Sequence, residues 1–234
     1  MPPESIPTLS NHSAPERMRP VYWATWRLTR LLVGNYFRWR VLHVERIPRT
    51  GPFILTANHT SFADPPLVGC AVPRAIHFLA RHTLFDIPVV GTWMRALNSV
   101  PVDRDVGGAG LRAILDRLQK GGGILLFPEG TRSRDGLIQR AQAGVGLIII
   151  KSTAPVVPVR LFGVFEAWGR QQKLPRPSPV VLKFGHPLDF AALRAESRVC
   201  AKPRLREIYQ EASEGIMKVI GELAPCVDVT RFPP

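Results

Sequence analysis

Cysteine is scarce in this chain: Cys70, Cys200 and Cys226 are the only three among 234 residues, odd in number and widely spaced. Such spacing offers neither a disulfide framework nor a Cys-x-x-Cys metal site, and a reducing compartment is the simpler setting. Long apolar runs are missing as well. The longest stretch free of Asp, Glu, Lys and Arg, Thr50 to Ala63, falls short of the roughly 18 apolar residues that a membrane-spanning helix needs, and it contains Asn58 and His59. Residues 1–18 are proline-rich and polar, without an apolar core behind a basic end, so they read as a loose tail rather than a signal peptide. Negative charge is the third shortage. Against 31 Lys and Arg stand 18 Asp and Glu, a formal charge of +13 that draws the surface towards phosphates. No zinc finger, RNA-recognition signature or basic-region zipper accompanies that charge, so nucleic acid is not the expected partner.

What the chain does have is alternation. Strand-like runs fall at Val41–Glu45, Phe53–Ala57, Ile76–Ala80, Ser99–Val102, Ile124–Phe127, Val156–Leu161 and Val180–Phe184. Helical stretches lie between them near Pro65–Ala71, Val89–Leu97, Gly110–Lys120 and Gln142–Ser152, with a last one near Arg204–Leu223. The pattern predicts an α/β fold: one domain over residues 43–224, with a central, mostly buried mixed sheet flanked by helices, and a tail at 225–234. Gly121-Gly122-Gly123 sits between a helix ending in lysine and an apolar strand, which suits a helix C-cap and turn better than a phosphate loop.

Residues 19–42 read as a separate helical attachment. Leu28, Leu32, Tyr36 and Trp39 share one face at helical spacing, while Arg27, Arg30 and Arg38 gather on another. With Trp23, Trp26 and Phe37 adding aromatic bulk, the segment is expected to lie in a membrane interface, apolar side down and arginines towards lipid phosphates. The alternative is a helix packed on the core with a solvated basic face.

Two short motifs carry the chemistry. Asn58-His59-Thr60-Ser61-Phe62-Ala63-Asp64 follows the buried run Phe53–Ala57, so His59 should emerge at a strand end, where sites in α/β sheets form. Asp64 precedes Pro65-Pro66, a favoured helix start, which makes it a good N-cap. An imidazole can take a proton from an alcohol near neutral pH, and a carboxylate on its other nitrogen fixes the tautomer. Five residues across a strand-to-helix turn can fold back to make that contact. The second motif, Phe127-Pro128-Glu129-Gly130-Thr131-Arg132, places a carboxylate, a hydroxyl and a guanidinium in the turn after Ile124–Phe127. Arginine offers a planar fork matched to phosphate oxygens, and Gly130 lets backbone approach a ligand. His77, His82 and Asp86 match no familiar ligand set, and no metal is expected.

The His-x4-Asp spacing and the Pro-Glu-Gly-Thr-Arg run, in that order, resemble the glycerolipid acyltransferases of the bacterial 1-acyl-sn-glycerol-3-phosphate acyltransferase type. Val100-Pro101-Val102-Asp103-Arg104 and Val156-Val157-Pro158-Val159 are similar to two further blocks of that family. The resemblance implies that His59 is the general base and Asp64 its partner, and that Arg104, Glu129, Gly130, Thr131 and Arg132 bind the acceptor. Asn58, Ser61, Arg140 and Pro158 become secondary site residues, and Arg81, Arg134, Arg140 and Lys151 are expected to add to a basic rim. It also implies transfer of an acyl group from acyl-CoA or acyl-carrier protein to the hydroxyl of 1-acyl-glycerol-3-phosphate, with no cofactor beyond that co-substrate. Backbone N–H groups after His59 are expected to hold the oxyanion. The expected setting is peripheral, on the cytoplasmic face of an anionic membrane. In one respect the chain departs from many relatives, which carry lysine or arginine where Gln142-Ala143-Gly144 stands here. Another lysophospholipid or a lyso amino-acid lipid is therefore an alternative acceptor, and a non-catalytic membrane-binding protein is the alternative outside the enzymes.

Overall fold

The computed structural model describes residues 18–102 and 107–225; Asp103, Arg104 and Cys226 lie outside them. Seven strands, β1 (Arg40–Leu42), β2 (Phe53–Ala57), β3 (Ile76–Arg81), β4 (Ser99–Val102), β5 (Gly123–Leu126), β6 (Val156–Phe162) and β7 (Val181–Phe184), form one sheet in the order β1-β7-β6-β2-β5-β3-β4. Every neighbouring pair is parallel except β6 and β7. The expected mixed sheet is therefore present, with β2 at its centre.

Helices cover both faces: α1 (Pro20–Tyr36), α2 (Asp64–Ala71), α3 (Pro88–Ala96), α4 (Gly107–Gln119), α5 (Ala143–Lys151), α6 (Val164–Trp168), α7 (Ala191–Glu196) and α8 (Lys202–Glu222). Alternation along β2 divides the core. Phe53, Leu55 and Ala57 pack with Leu67, Val68 and Val72 on one face, while Ile54 joins Ile124, Ile149, Ile208 and Ile216 on the other. Because β2, β3 and β5 run parallel, their carboxyl ends lie along one edge of the sheet, and both motifs and Arg81 are brought there.

The N-terminal helix is shorter than its pattern suggests. It ends at Tyr36, since Arg38 adopts φ 43° and the chain turns into β1. The helix also docks: Trp26 Nε1 donates to Val72 O at 3.0 Å, Arg30 to Cys70 O at 2.9 Å, and Tyr22 Oη accepts from Ile76 N at 3.2 Å. Arg30 is thereby tied to α2, its guanidinium lying over the Trp26 and Trp39 rings, while the residue as a whole stays exposed. Trp23, Leu28, Leu31 and Leu32 remain exposed. Among the described residues no helix is long and apolar enough to cross a membrane. Gly121, at φ 81°, closes α4 with bonds from Gly121 N to Leu118 O and Gly122 N to Arg117 O, the helix-ending turn expected of the triple glycine.

Candidate active site

At the end of β2, Asn58 leaves the sheet without abandoning it. Its side-chain amide donates to Leu161 O at 3.2 Å and accepts from Leu161 N at 2.8 Å, standing in for the backbone pairing that stops there. The chain then turns around one carboxylate oxygen. Asp64 Oδ2 accepts from Thr60 N at 2.6 Å, Ser61 N at 2.8 Å and His59 Nδ1 at 2.8 Å. An acceptor held by two backbone N–H groups fixes the proton of the imidazole on Nδ1 and leaves Nε2 with its lone pair. Asp64 is the first residue of α2, and Ala63 occupies the cap position. The N-cap role expected of Asp64 is therefore not the one it plays, because its carboxylate points back into the turn rather than along the helix. Ser61 Oγ accepts from Ala63 N at 3.0 Å and donates to Trp168 O at 2.6 Å, which makes it a brace.

The loop after β5 grips the same histidine. Glu129 Oε1 accepts from His59 N at 2.9 Å, Ser133 N donates to His59 O at 2.8 Å, and the Phe127 ring stacks on the imidazole at 4.0 Å. Both polar groups of the His59 backbone are thereby satisfied by the second motif and the residue that follows it. Glu129 is 3% exposed, and its other oxygen accepts from Gln139 N at 3.4 Å. Burial pushes its carboxyl up to about 7 against the opposing pull of those N–H bonds, with the nearby Asp64 and Asp135 charges adding to the rise. The carboxylate expected to bind substrate is turned instead onto backbone.

Gly130, at φ 67°, turns the chain so that Thr131 and Arg132 face a cavity of about 830 Å³ whose wall also includes His59. Arg132 lies 3.3 Å over the Phe62 ring, and its Nη1 is buried without a hydrogen-bond partner among the described residues. Burial lowers the affinity of its guanidinium for a proton, the Arg170 and Arg81 charges add to that, and Asp64 opposes them. Arg81, Thr83, Leu84 and Arg170 line the same space, and Phe78, Leu79, Trp93, Met94 and Leu97 give it an apolar wall. A basic end beside an imidazole, continued by an apolar surface, suits an amphiphilic anion.

Other expected residues lie elsewhere. Pro158 is buried in β6 opposite Thr56, Arg140 pairs with Glu214 at 3.5 Å, and neither Arg134 nor Lys151 is in the cavity wall. Arg104 lies outside the described residues. The Thr60, Ser61 and Ala63 N–H groups are consumed by Asp64 and Ser61, which removes them from the expected oxyanion hole. Arg170 was marked by no motif, because it stands alone in a turn far along the chain. Among the described residues no group of three His, Cys, Asp or Glu side chains is placed to hold a metal.

Comparison with known proteins agrees with this geometry. The chain is 27% identical over 168 residues to a 1-acyl-sn-glycerol-3-phosphate acyltransferase of Bacillus subtilis, an alignment covering 69% of this chain and 81% of that one. It is 30% identical over 132 residues to the chloroplastic BAT2 enzyme of the same name from Brassica napus, covering 55% and 38% respectively. The match thus spans less than half the length of that plant relative, and 45% of one from Cocos nucifera. The crystal structure of the 1-acyl-sn-glycerophosphate (LPA) acyltransferase PlsC from Thermotoga maritima superposes with a TM-score of 0.65 at 27% identity, over 86% of this chain and 79% of that one. The model of the family described as Acyltransferase matches residues 38–161, more than half of the chain and the whole of the sheet from β2 to the body of β6. On that match the protein belongs to the acyltransferase family.

Proposed function

We propose that this chain transfers a fatty acyl group from a thioester, acyl-CoA or acyl-carrier protein, to the hydroxyl of 1-acyl-glycerol-3-phosphate, giving phosphatidic acid and a free thiol. The observation that carries the reading is a single cavity that joins His59, with Nδ1 held by Asp64, to the guanidinium of Arg132 and to an apolar wall. The similarity to enzymes named for this acceptor supports the choice of substrate.

In the proposed reaction His59 Nε2 takes the acceptor's hydroxyl proton as its oxygen attacks the thioester carbonyl. Asp64 stabilises the resulting imidazolium and holds its orientation. Collapse of the tetrahedral intermediate breaks the carbon–sulfur bond, and the imidazolium returns the proton to the departing sulfur. Arg132 and Arg81 bind the acceptor phosphate, while Arg104 remains the expected further ligand from the sequence. Phe78, Leu79, Trp93 and Leu97 shelter an acyl chain. Glu129 acts through the His59 backbone and is a positioning residue. The protein works at a lipid surface, on the cytoplasmic leaflet, reached through the exposed apolar side chains of α1.

Thiol release from palmitoyl-CoA in mixed micelles tests the reading. Release by the wild type should depend on 1-acyl-glycerol-3-phosphate and fall by roughly a hundredfold or more in His59→Ala. Acceptor-dependent release that persists in the variant would remove His59 from the mechanism.

A further inference from the structure

The family match stops at residue 161, yet the chain returns to the site once more. Gly163, at φ 75°, turns it out of β6 into α6, and the end of that helix is fastened to the loop carrying the histidine. Ser61 Oγ donates to Trp168 O at 2.6 Å, Ser61 and Gly169 form a backbone bridge, and the Phe62 ring lies 6.1 Å from that of Trp168. These ties bring Arg170 into the cavity wall with His59, Arg81 and Arg132.

The three guanidiniums converge with no carboxylate among the described residues paired to any of them, Asp64 acting on Arg132 only from a distance. Among the described residues none of them forms a salt bridge, and the single bond recorded for Arg170 is a long one, 3.5 Å, from Nη1 to the carbonyl oxygen of Arg132. Arg170 is also the leading charge acting against protonation of Arg132, whose buried Nη1 has no partner among the described residues. Like charges assembled beside a partly desolvated cavity are unfavourable until an anion joins them, and arginine forks suit phosphate oxygens. The fold nevertheless braces Arg170 there through a bridge to the very turn that presents the base.

We propose that Arg170, beside Arg132 in the cavity wall, is a specificity-determining residue that binds phosphate oxygens of a substrate. The inference rests on the acyl-transfer reading for what that substrate is, either the phosphomonoester of the acceptor or the phosphates of coenzyme A. Because Arg170 is exposed, its replacement leaves the core intact.

Isothermal titration of the wild type, Arg170→Ala and Arg170→Lys tests it, with a six-carbon 1-acyl-glycerol-3-phosphate, the matching phosphate-free monoacylglycerol and coenzyme A. Arg170→Ala should weaken one phosphate ligand by about tenfold and leave the monoacylglycerol unchanged, with Arg170→Lys recovering part of the loss. The ligand that weakens names the source: the lysophosphatidate places Arg170 at the acceptor, coenzyme A at the donor. Unchanged affinity for both, equal weakening of the phosphate-free ligand, or no binding of either phosphate ligand by the wild type would overturn the proposal. A wild type that binds these ligands but releases no thiol would refute the acyl-transfer reading while leaving the Arg170 contact to stand on its titrations.

Discussion

Glu129 shows most clearly how one residue serves the site without entering it. Its carboxylate holds the N–H of His59 at 2.9 Å while burial raises its ionisation to about 7 from an ordinary 4.5. An acid raised in the fold keeps its proton after the unfolded chain has lost its own. Its contribution therefore turns against the fold as pH climbs from about 4.5 to about 7, by roughly 3 kcal/mol in all. Glu129→Gln cannot titrate, so unfolding free energies of variant and wild type should diverge in the variant's favour by about that amount between about pH 4.5 and about pH 8. Parallel curves in urea titrations at those two pH values would show that Glu129 ionises like a surface carboxylate. The His59–Asp64 contact was legible because a strand-to-helix turn of that spacing can fold back on itself and the two motifs in order resemble the acyltransferases, although the proline-led helix start pointed equally to a helix cap for Asp64. Sequence did not reveal that Glu129 faces backbone. A side chain whose partner is a peptide N–H seventy residues away leaves no complementary residue to be read.

Among the elements, those with a sustained period were the readable ones. The buried runs of β2, β5 and β6 and the long α8 fall close to their expected places, whereas α6 and α7, of five and six residues, are too short to complete a helical period. The N-terminal helix was overextended for a physical reason: Trp39 keeps the apolar spacing, but it does so by folding back over Gly34, where a Cβ would lie 2.6 Å from its Nε1. Close approach of backbone also governs the pairing of α5 with α8. Gly146 N donates to Ser213 Oγ at 2.7 Å, that hydroxyl donates to Gln142 O at 2.9 Å, and a Cβ on Gly146 would meet Tyr209 O at 1.8 Å. The obstacle is backbone, so the helices themselves must separate. Gly146→Ala is expected to cost about 1–3 kcal/mol, despite the better helix propensity of alanine, and to lower the melting temperature by several degrees in a thermal scan. An unchanged or raised melting temperature would mean that α5 and α8 are less tightly apposed.

For the molecule as a whole, the open matter is how a protein with an excess of cations, and with no spanning helix among its described residues, reaches its proposed lipid substrates. The formal charge of +13 supplies attraction to an anionic surface, but charge alone gives no orientation. On the proposed function, orientation would come from the side of α1 that docking leaves free, where Trp23, Leu28, Leu31 and Leu32 are exposed, and from Val21 at its start, which lines a shallow pocket with Val89 and Trp93 of α3. Trp93 also lines the cavity that holds His59, so this surface leads to the site rather than away from it. Removing the helix outright would be a poor test, since Tyr22, Trp26 and Arg30 hold backbone groups of β3, the α2–β3 turn and α2. Substituting only exposed positions separates docking from folding. Leu31→Ser with Leu32→Ser should leave the melting temperature within a degree or two yet weaken flotation with phosphatidylglycerol vesicles by at least roughly tenfold, since each leucine buried in the interface contributes about 2 kcal/mol. Raising the salt should weaken wild-type binding further by screening the cationic surface, and it should do so to the same degree in the double variant. If the double variant binds vesicles as tightly as the wild type, α1 is a structural helix and the membrane is met through charge alone.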